Sequence, residues 1–267
     1  MNTERYSRQS FIGHGAQDTI ESAIVGVVGL GGGGSHIVQQ LAHIGFKHYV
    51  LFDGDTVDES NLNRLIGATL DDFRNHTPKI EIARRIILGL QPDADIQAYP
   101  SRWQEAAPVL QRCHLVFGCV DSFLAREELE RFVRRYLIPY IDIGMDVIVG
   151  RDGKAVMGGQ VIASIPGCPC MWCMGFLTDE RIKREAEYYG AAGPRPQVVW
   201  PNGVLASTAV GLGVDLLTDW TENMRGSVYL EYDGNRGTIR PRKQQVVAED
   251  CPHFSPDQVG DPVFREI

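Results

Sequence analysis

The segment Ala23-Ile24-Val25-Gly26-Val27-Val28-Gly29-Leu30-Gly31-Gly32-Gly33-Gly34-Ser35 joins an apolar strand to a glycine-rich turn and the start of a helix, and it constrains the fold more than any other stretch of the chain. Gly29, Gly31 and Gly34 have the G-x-G-x-x-G spacing, and Gly32 lies in the same turn. Missing side chains permit a tight turn, let backbone N–H groups approach a phosphate, and allow close packing of helix on strand. Taken alone, such a turn reads as a dinucleotide-binding oxidoreductase or as a structural bend. The next strand, Tyr49-Val50-Leu51-Phe52-Asp53, ends in a carboxylate where folds of this kind place the acid that takes a ribose hydroxyl.

Strand-like runs at residues 24–28, 49–52, 96–99, 115–117 and 139–143 alternate with helix-like runs at 35–44, 78–90, 104–111 and 123–137. This βαβ series predicts a Rossmann-like, doubly wound α/β fold, mostly parallel, with ligands at the carboxyl ends of the strands. Gly29 to Gly34, Asp53 and Asp121 follow three separate strands and are expected to open onto one edge. Pro78 is expected in the first turn of a helix capped by Thr77. After Gly144 the pattern shifts: residues 147–149 and 160–164 read as antiparallel strands, 174–203 as a helix followed by a mobile loop, 203–218 as an apolar helix, and 228–232 with 237–242 as a terminal hairpin.

A chain of 267 residues suffices for one α/β domain with a sizeable core. Its net charge of −8 lacks the broad basic field that draws nucleic acid or anionic membranes, so neither is an expected partner. No run of eighteen apolar residues occurs and the first residues lack a signal peptide's apolar region, which predicts a cytoplasmic location. Six cysteines in that setting read as thiols or metal ligands, with Cys113 and Cys119 as small apolar fillers.

Beyond Asp53 the chain runs Gly54-Asp55-Thr56-Val57-Asp58-Glu59-Ser60-Asn61-Leu62-Asn63-Arg64. Upstream lies Arg5-Tyr6-Ser7-Arg8-Gln9; downstream come Thr77-Pro78-Lys79-Ile80-Glu81 and Leu115-Val116-Phe117-Gly118-Cys119-Val120-Asp121. In that order these motifs resemble the adenylating enzymes that activate ubiquitin and ubiquitin-like sulfur carriers, whose bacterial members serve molybdopterin and thiazole synthesis. The resemblance spans residues 4–240. It implies one adenylation domain over 1–267, made of an N-terminal arm (1–22), a nucleotide-binding half (23–144), a carrier-binding half with a crossover loop (145–245) and a tail (246–267).

The implied reaction is ATP-dependent adenylation of the C-terminal glycine carboxylate of a ubiquitin-like or sulfur-carrier protein, or of a peptide, with release of pyrophosphate. By the same resemblance, Lys79 meets the phosphates, Arg64 and Asn61 meet the triphosphate end, Asp55 assists near the nucleotide, and Asp121 holds Mg²⁺. Arg8 would act in trans on a partner's site, which implies a homodimer. Relatives carry two C-x-x-C pairs for structural zinc. Here the first is Cys170 and Cys173, whereas the second position reads Cys251-Pro252-His253-Phe254, so zinc is expected on Cys170, Cys173 and Cys251 with His253 or Cys168 as fourth ligand. Many relatives also have a crossover cysteine for a thioester; none occurs between Cys173 and Cys251, so the reaction is expected to stop at the acyl-adenylate or to use an unusual thiol such as Cys168. Ser122 is a smaller departure, since asparagine often follows the aspartate. The alternatives are an enzyme like the tRNA threonylcarbamoyl-adenosine dehydratases, which the cysteine cluster and acidic balance disfavour, and a non-catalytic partner subunit, which the retained charged residues disfavour.

Overall fold

A computed structural model describes residues 4–150, 152–188, 196–223, 226–242, 251–254 and 259–260. After a 3-10 turn at Ser7–Ile12, the chain forms α1 (Ala16–Ser22), β1 (Ile24–Val28), α2 (Gly32–Ile44), β2 (His48–Phe52), α3 (Leu70–Arg74), α4 (Lys79–Leu90) and β3 (Asp95–Tyr99). A kinked 3-10 segment, Trp103–Arg112, leads to β4 (Leu115–Gly118), α5 (Phe123–Arg135), β5 (Tyr140–Val149), β6 (Ala155–Ser164), α6 (Asp179–Tyr188), α7 (Val199–Thr218), β7 (Val228–Asp233) and β8 (Thr238–Pro241). The eight strands form one sheet in the order β3-β2-β1-β4-β5-β6-β7-β8, parallel from β3 to β5 and antiparallel beyond.

The order reverses at β1, where β2 and β4 pair on opposite sides. Crossovers on either side then leave in opposite directions and open a crevice at the carboxyl ends of β1 and β4. Apolar side chains cover both sheet faces. Val25, Val27, Leu51 and Phe117 pack with α2, α4 and α7; Val28, Val50, Phe52 and Val116 pack with the 103–112 segment and α5. Burial of each such side chain contributes about 1.5–3 kcal/mol.

Several boundaries differ from the sequence expectations, β6 beginning at Ala155 rather than 160 and α2 at Gly32 rather than 35, and three further differences bear on the site. The helix at Lys79 begins one residue later than expected, with Pro78 as N-cap and no side-chain capping bond, so Thr77 does not cap it. The reason is local pairing: Thr56 and Pro78 form an antiparallel bridge, and Lys79 N donates to Asp55 O (3.0 Å), which holds 77–78 extended. The break expected after Gly144 is absent; β5 runs unbroken for ten residues, because β6 pairs with its whole length after β4 has paired with Tyr140, Ile141 and Asp142. The last long helix starts at Val199 rather than 203, and Pro201 falls in its first turn, where a missing N–H costs nothing. The loop expected at 190–196 lies outside the described residues except for Pro196.

Candidate active site

The glycine turn is shaped by steric exclusion. Gly29 has φ +88°, and a Cβ placed there would lie 2.6 Å from Cys119 O, on the neighbouring strand end. A Cβ on Gly34 would lie 1.9 Å from Gly29 O, so only glycine lets α2 start against β1. Gly31 has open space at its missing Cβ. The first amides of α2 have no acceptor within their own helix, and the helix dipole adds positive potential there. Cys119 packs against the hydrophobic core, as expected of a small apolar filler, and also lines the crevice beside this turn.

Asp53 is bound to the turn itself: its carboxylate accepts from Leu30 N (2.6 Å) and Asp55 N (2.8 Å). Burial pushes its carboxyl up, while Lys79 and the two backbone donors pull it back. Lys79 is nearly buried at the start of α4, and its Nζ lies 2.7 Å from Asp55 Oδ2. Asp58 and Asn61 form a capping box around the 3-10 turn Glu59–Asn61, in which Asn61 Oδ1 accepts from Asp58 N (3.1 Å). That turn aims Arg64, whose guanidinium donates to Ser60 O and to Asn63 Oδ1. Asp121 follows β4, and Ser122 caps α5 by accepting from Ala125 N (3.0 Å), so serine performs the capping that asparagine would.

These residues meet in one crevice of about 950 Å³, lined by the glycine turn, Asp53, Asp55, Asn61, Arg64, Lys79 and Asp121. Arg8 is not brought there: it is exposed on the 3-10 turn Ser7–Ile12 and does not line the crevice.

Several residues around the crevice were given no role by sequence reasoning. Arg126, on the helix that follows Asp121, is buried, and its Nε donates to both oxygens of fully buried Asp142 (3.0 and 3.2 Å). Asp142 also accepts from Tyr140 Oη (3.1 Å) and Gln160 Nε2 (3.3 Å). Asp142 sits in an otherwise apolar strand, and a carboxylate among residues 140–143 was the available signal. Glu185 of α6 accepts from Phe123 N (2.6 Å), so the crossover helix closes on the N-terminus of α5, two residues from Asp121. Asn202 of α7 also reaches the crevice.

A second cluster lies apart from the crevice lining. Cys170 Sγ is 3.6 Å from Cys173 Sγ and 3.5 Å from His253 Nδ1; Cys173 Sγ is 3.5 Å from Cys251 Sγ and 3.4 Å from His253 Nδ1. A tetrahedron with zinc–sulfur arms of about 2.3 Å has edges of about 3.8 Å, so the four donor atoms fit zinc. Cys168 is not in this cluster. Phe254, which stands where a second cysteine would complete the pair, packs against the Arg131 and Arg134 guanidiniums of α5.

Among the described residues no helix is long and apolar enough to cross a membrane. Residues 5–253 match the ThiF family. The SAMP-activating enzyme E1 of Haloferax volcanii is 31% identical over 176 residues, which is 64% of this chain and 61% of that protein. The molybdopterin-synthase adenylyltransferase of Salmonella typhimurium is 29% identical over 90% of this chain and 91% of its own length. A crystal structure of E. coli MccB with ATP superposes with a TM-score of 0.74 at 19% identity, covering 94% of this chain and 74% of that one, and shares its fold. With the match running through every motif from the arm to the cysteine cluster, the chain belongs to the ThiF family.

Proposed function

We propose that this protein is an ATP-dependent adenylyltransferase acting on the C-terminal glycine carboxylate of a ubiquitin-like or sulfur-carrier protein, or of a peptide. A carboxylate oxygen attacks the α-phosphorus, the bond to the bridging β-phosphate oxygen breaks, and pyrophosphate leaves. The observation that carries this reading is the convergence in one crevice of the glycine turn, Lys79, Arg64 and Asp121, from segments far apart in sequence. Preorganised donors aimed at phosphate oxygens are the main requirement of such a transfer. Named relatives are adenylyltransferases for sulfur carriers and molybdopterin synthase, which supports the same chemistry.

In this reading Asp53 holds the ribose, the α2 amides and Lys79 hold phosphates, and Arg64 and Asn61 take the triphosphate end. Lys79 leaves Asp55 for the nucleotide. Asp121 would hold Mg²⁺, which when bound would supply positive charge against the leaving pyrophosphate. Few protein carboxylates suffice for Mg²⁺, because substrate oxygens complete its shell. Arg8 serves a partner's site within a homodimer, its exposure leaving it available for that contact. Cys170, Cys173, Cys251 and His253 hold structural zinc, tying the turn after β6 to the tail. The whole chain, 1–267, acts as one cytoplasmic adenylation domain. With no cysteine between Cys173 and Cys251, the product is an acyl-adenylate passed onward.

The test is exchange of labelled pyrophosphate into ATP, with and without a small carrier ending in Gly-Gly. Carrier-dependent exchange that falls at least 100-fold in Asp121→Ala is expected, in line with the roughly 10²–10³-fold effect of removing one key electrostatic group. Tight ATP binding with no exchange for any carrier or peptide tested would refute it.

A further inference from the structure

Asn202 plays no part in the roles assigned above, yet its carboxamide lies at the centre of the phosphate-binding turn. It is the fourth residue of α7, nearly buried, and its Nδ2 donates to Val198 O (3.0 Å). A Cβ on Gly32 would lie 2.6 Å from Asn202 Nδ2 and 3.3 Å from Arg64 Cδ; a Cβ on Gly33 would lie 3.7 Å from Asn202 Oδ1. The carboxamide therefore lies across the bare first turn of α2, with the Arg64 side chain beside it. The segment before α7 is tied to the same place, since Asn63 Nδ2 donates to Gln197 O (2.9 Å).

An amide nitrogen has two hydrogens, and Val198 O takes one. An apolar side chain would fill this space at lower desolvation cost, because burying a polar group stabilises nothing unless its bonding capacity is met. The surroundings favour an anion: the α2 amides, the Arg64 guanidinium and the Lys79 ammonium line the same crevice. Asp53 holds the start of the turn through Leu30 N, whereas Asn202 and Arg64 lie against Gly32 two residues further along, so a ribose at Asp53 would leave the Gly32 end of the turn for the outer phosphates.

From this placement we infer that Asn202 is a further nucleotide-binding residue, whose second Nδ2 hydrogen donates to a non-bridging oxygen of the β- or γ-phosphate of ATP. The inference rests on the ATP site proposed above and deepens it. It also ties the first turn of α7 to the outer phosphates, so that loss of pyrophosphate removes one of the contacts holding that turn.

The experiment is direct titration of the purified protein with MgATP and, separately, with AMP, for wild type, Asn202→Ala and Asn202→Asp. A hydrogen bond to a charged group corresponds to about a tenfold or larger change in affinity. Asn202→Ala is expected to weaken MgATP about tenfold with AMP changed less than about twofold; Asn202→Asp, which sets a carboxylate against the phosphates, is expected to weaken MgATP further and again spare AMP. Equal losses for both nucleotides would show a structural role and overturn the inference, as would unchanged MgATP affinity in both variants. Asn202→Ala carries the test by itself if Asn202→Asp does not fold. A wild-type protein that binds no MgATP would refute the adenylation reading as well, which separates that failure from this one.

Discussion

The buried pair of Arg126 and Asp142 is the most heavily invested polar feature beside the crevice, and a double-mutant cycle measures it. Arg126→Met leaves the Asp142 carboxylate at zero exposure with only the Tyr140 hydroxyl and the Gln160 amide. Asp142→Leu leaves a buried guanidinium that keeps Ile143 O (3.4 Å) as an acceptor and the more distant charge of Asp121 but has lost its bidentate carboxylate. Removing one partner of a buried pair costs about 3–5 kcal/mol, because the other charge is left uncompensated. With an unfolding entropy of about 2.1 cal/mol/K per residue, 267 residues give roughly 560 cal/mol/K, so each single substitution lowers Tm by about 5–9 °C. The double variant removes both charges, and its loss falls short of the summed single losses by at least about 2 kcal/mol. Urea unfolding monitored by tryptophan fluorescence supplies the values, with an unchanged m confirming that the denatured state is the same. Single variants within about 1 kcal/mol of wild type, or strictly additive losses, would refute the argument that this pair is desolvated and mutually dependent.

Two further predictions follow from local electrostatics and the cysteine cluster. Asp72 accepts from Thr69 N and from both arms of Arg85, and the Arg85 guanidinium, first among the causes, holds its carboxyl well below the usual carboxylate range. A depressed folded-state pKa contributes stability above the unfolded value of about 3.9 and loses it as pH falls through the folded value, so the stability gap between wild type and Asp72→Asn is constant above about pH 5 and closes in acid. A gap that widens on acidification would contradict this. Purified protein is expected to contain one zinc per chain by elemental analysis, with Cys251→Ser and His253→Ala each lowering the content and the melting temperature and Cys168→Ser changing neither; zinc loss in Cys168→Ser would reassign the fourth ligand.

The parallel half of the sheet, β1 to β4 with their helices, is local in origin, which is why its residues could be read in order. Alternating apolar runs and helical periods define β1 to β4 and their helices within a few residues, and topology then forces every strand-end residue to one edge. Gly29, Asp53 and Asp121 are legible for that reason, since each follows a strand, and Lys79 opens a helix; Arg64 lies in the turn after Glu59–Asn61 and is legible only through the resemblance of the Ser60-Asn61-Leu62-Asn63-Arg64 run. The Cys170–Cys173 pair is legible from spacing, whereas the choice of His253 over Cys168 depends on where the tail returns, some eighty residues later in the chain.

What tertiary structure decides is everything that arrives from the far half of the chain. Arg126 looks solvated in sequence because its helix is highly charged, and only the pairing of β5 with β4 places Asp142 beneath it. Glu185 reaches Phe123 N from 62 residues away, a contact that no local pattern encodes. Asn202 meets Gly32 only because α7 packs on α2. The sequence by itself therefore determined the βαβ series, the glycine turn and the charged groups that follow its strands. Long-range packing decided which buried charges are paired, which helix closes the crevice and which amide crosses the glycine turn, since those depend on distances between segments that share no local register.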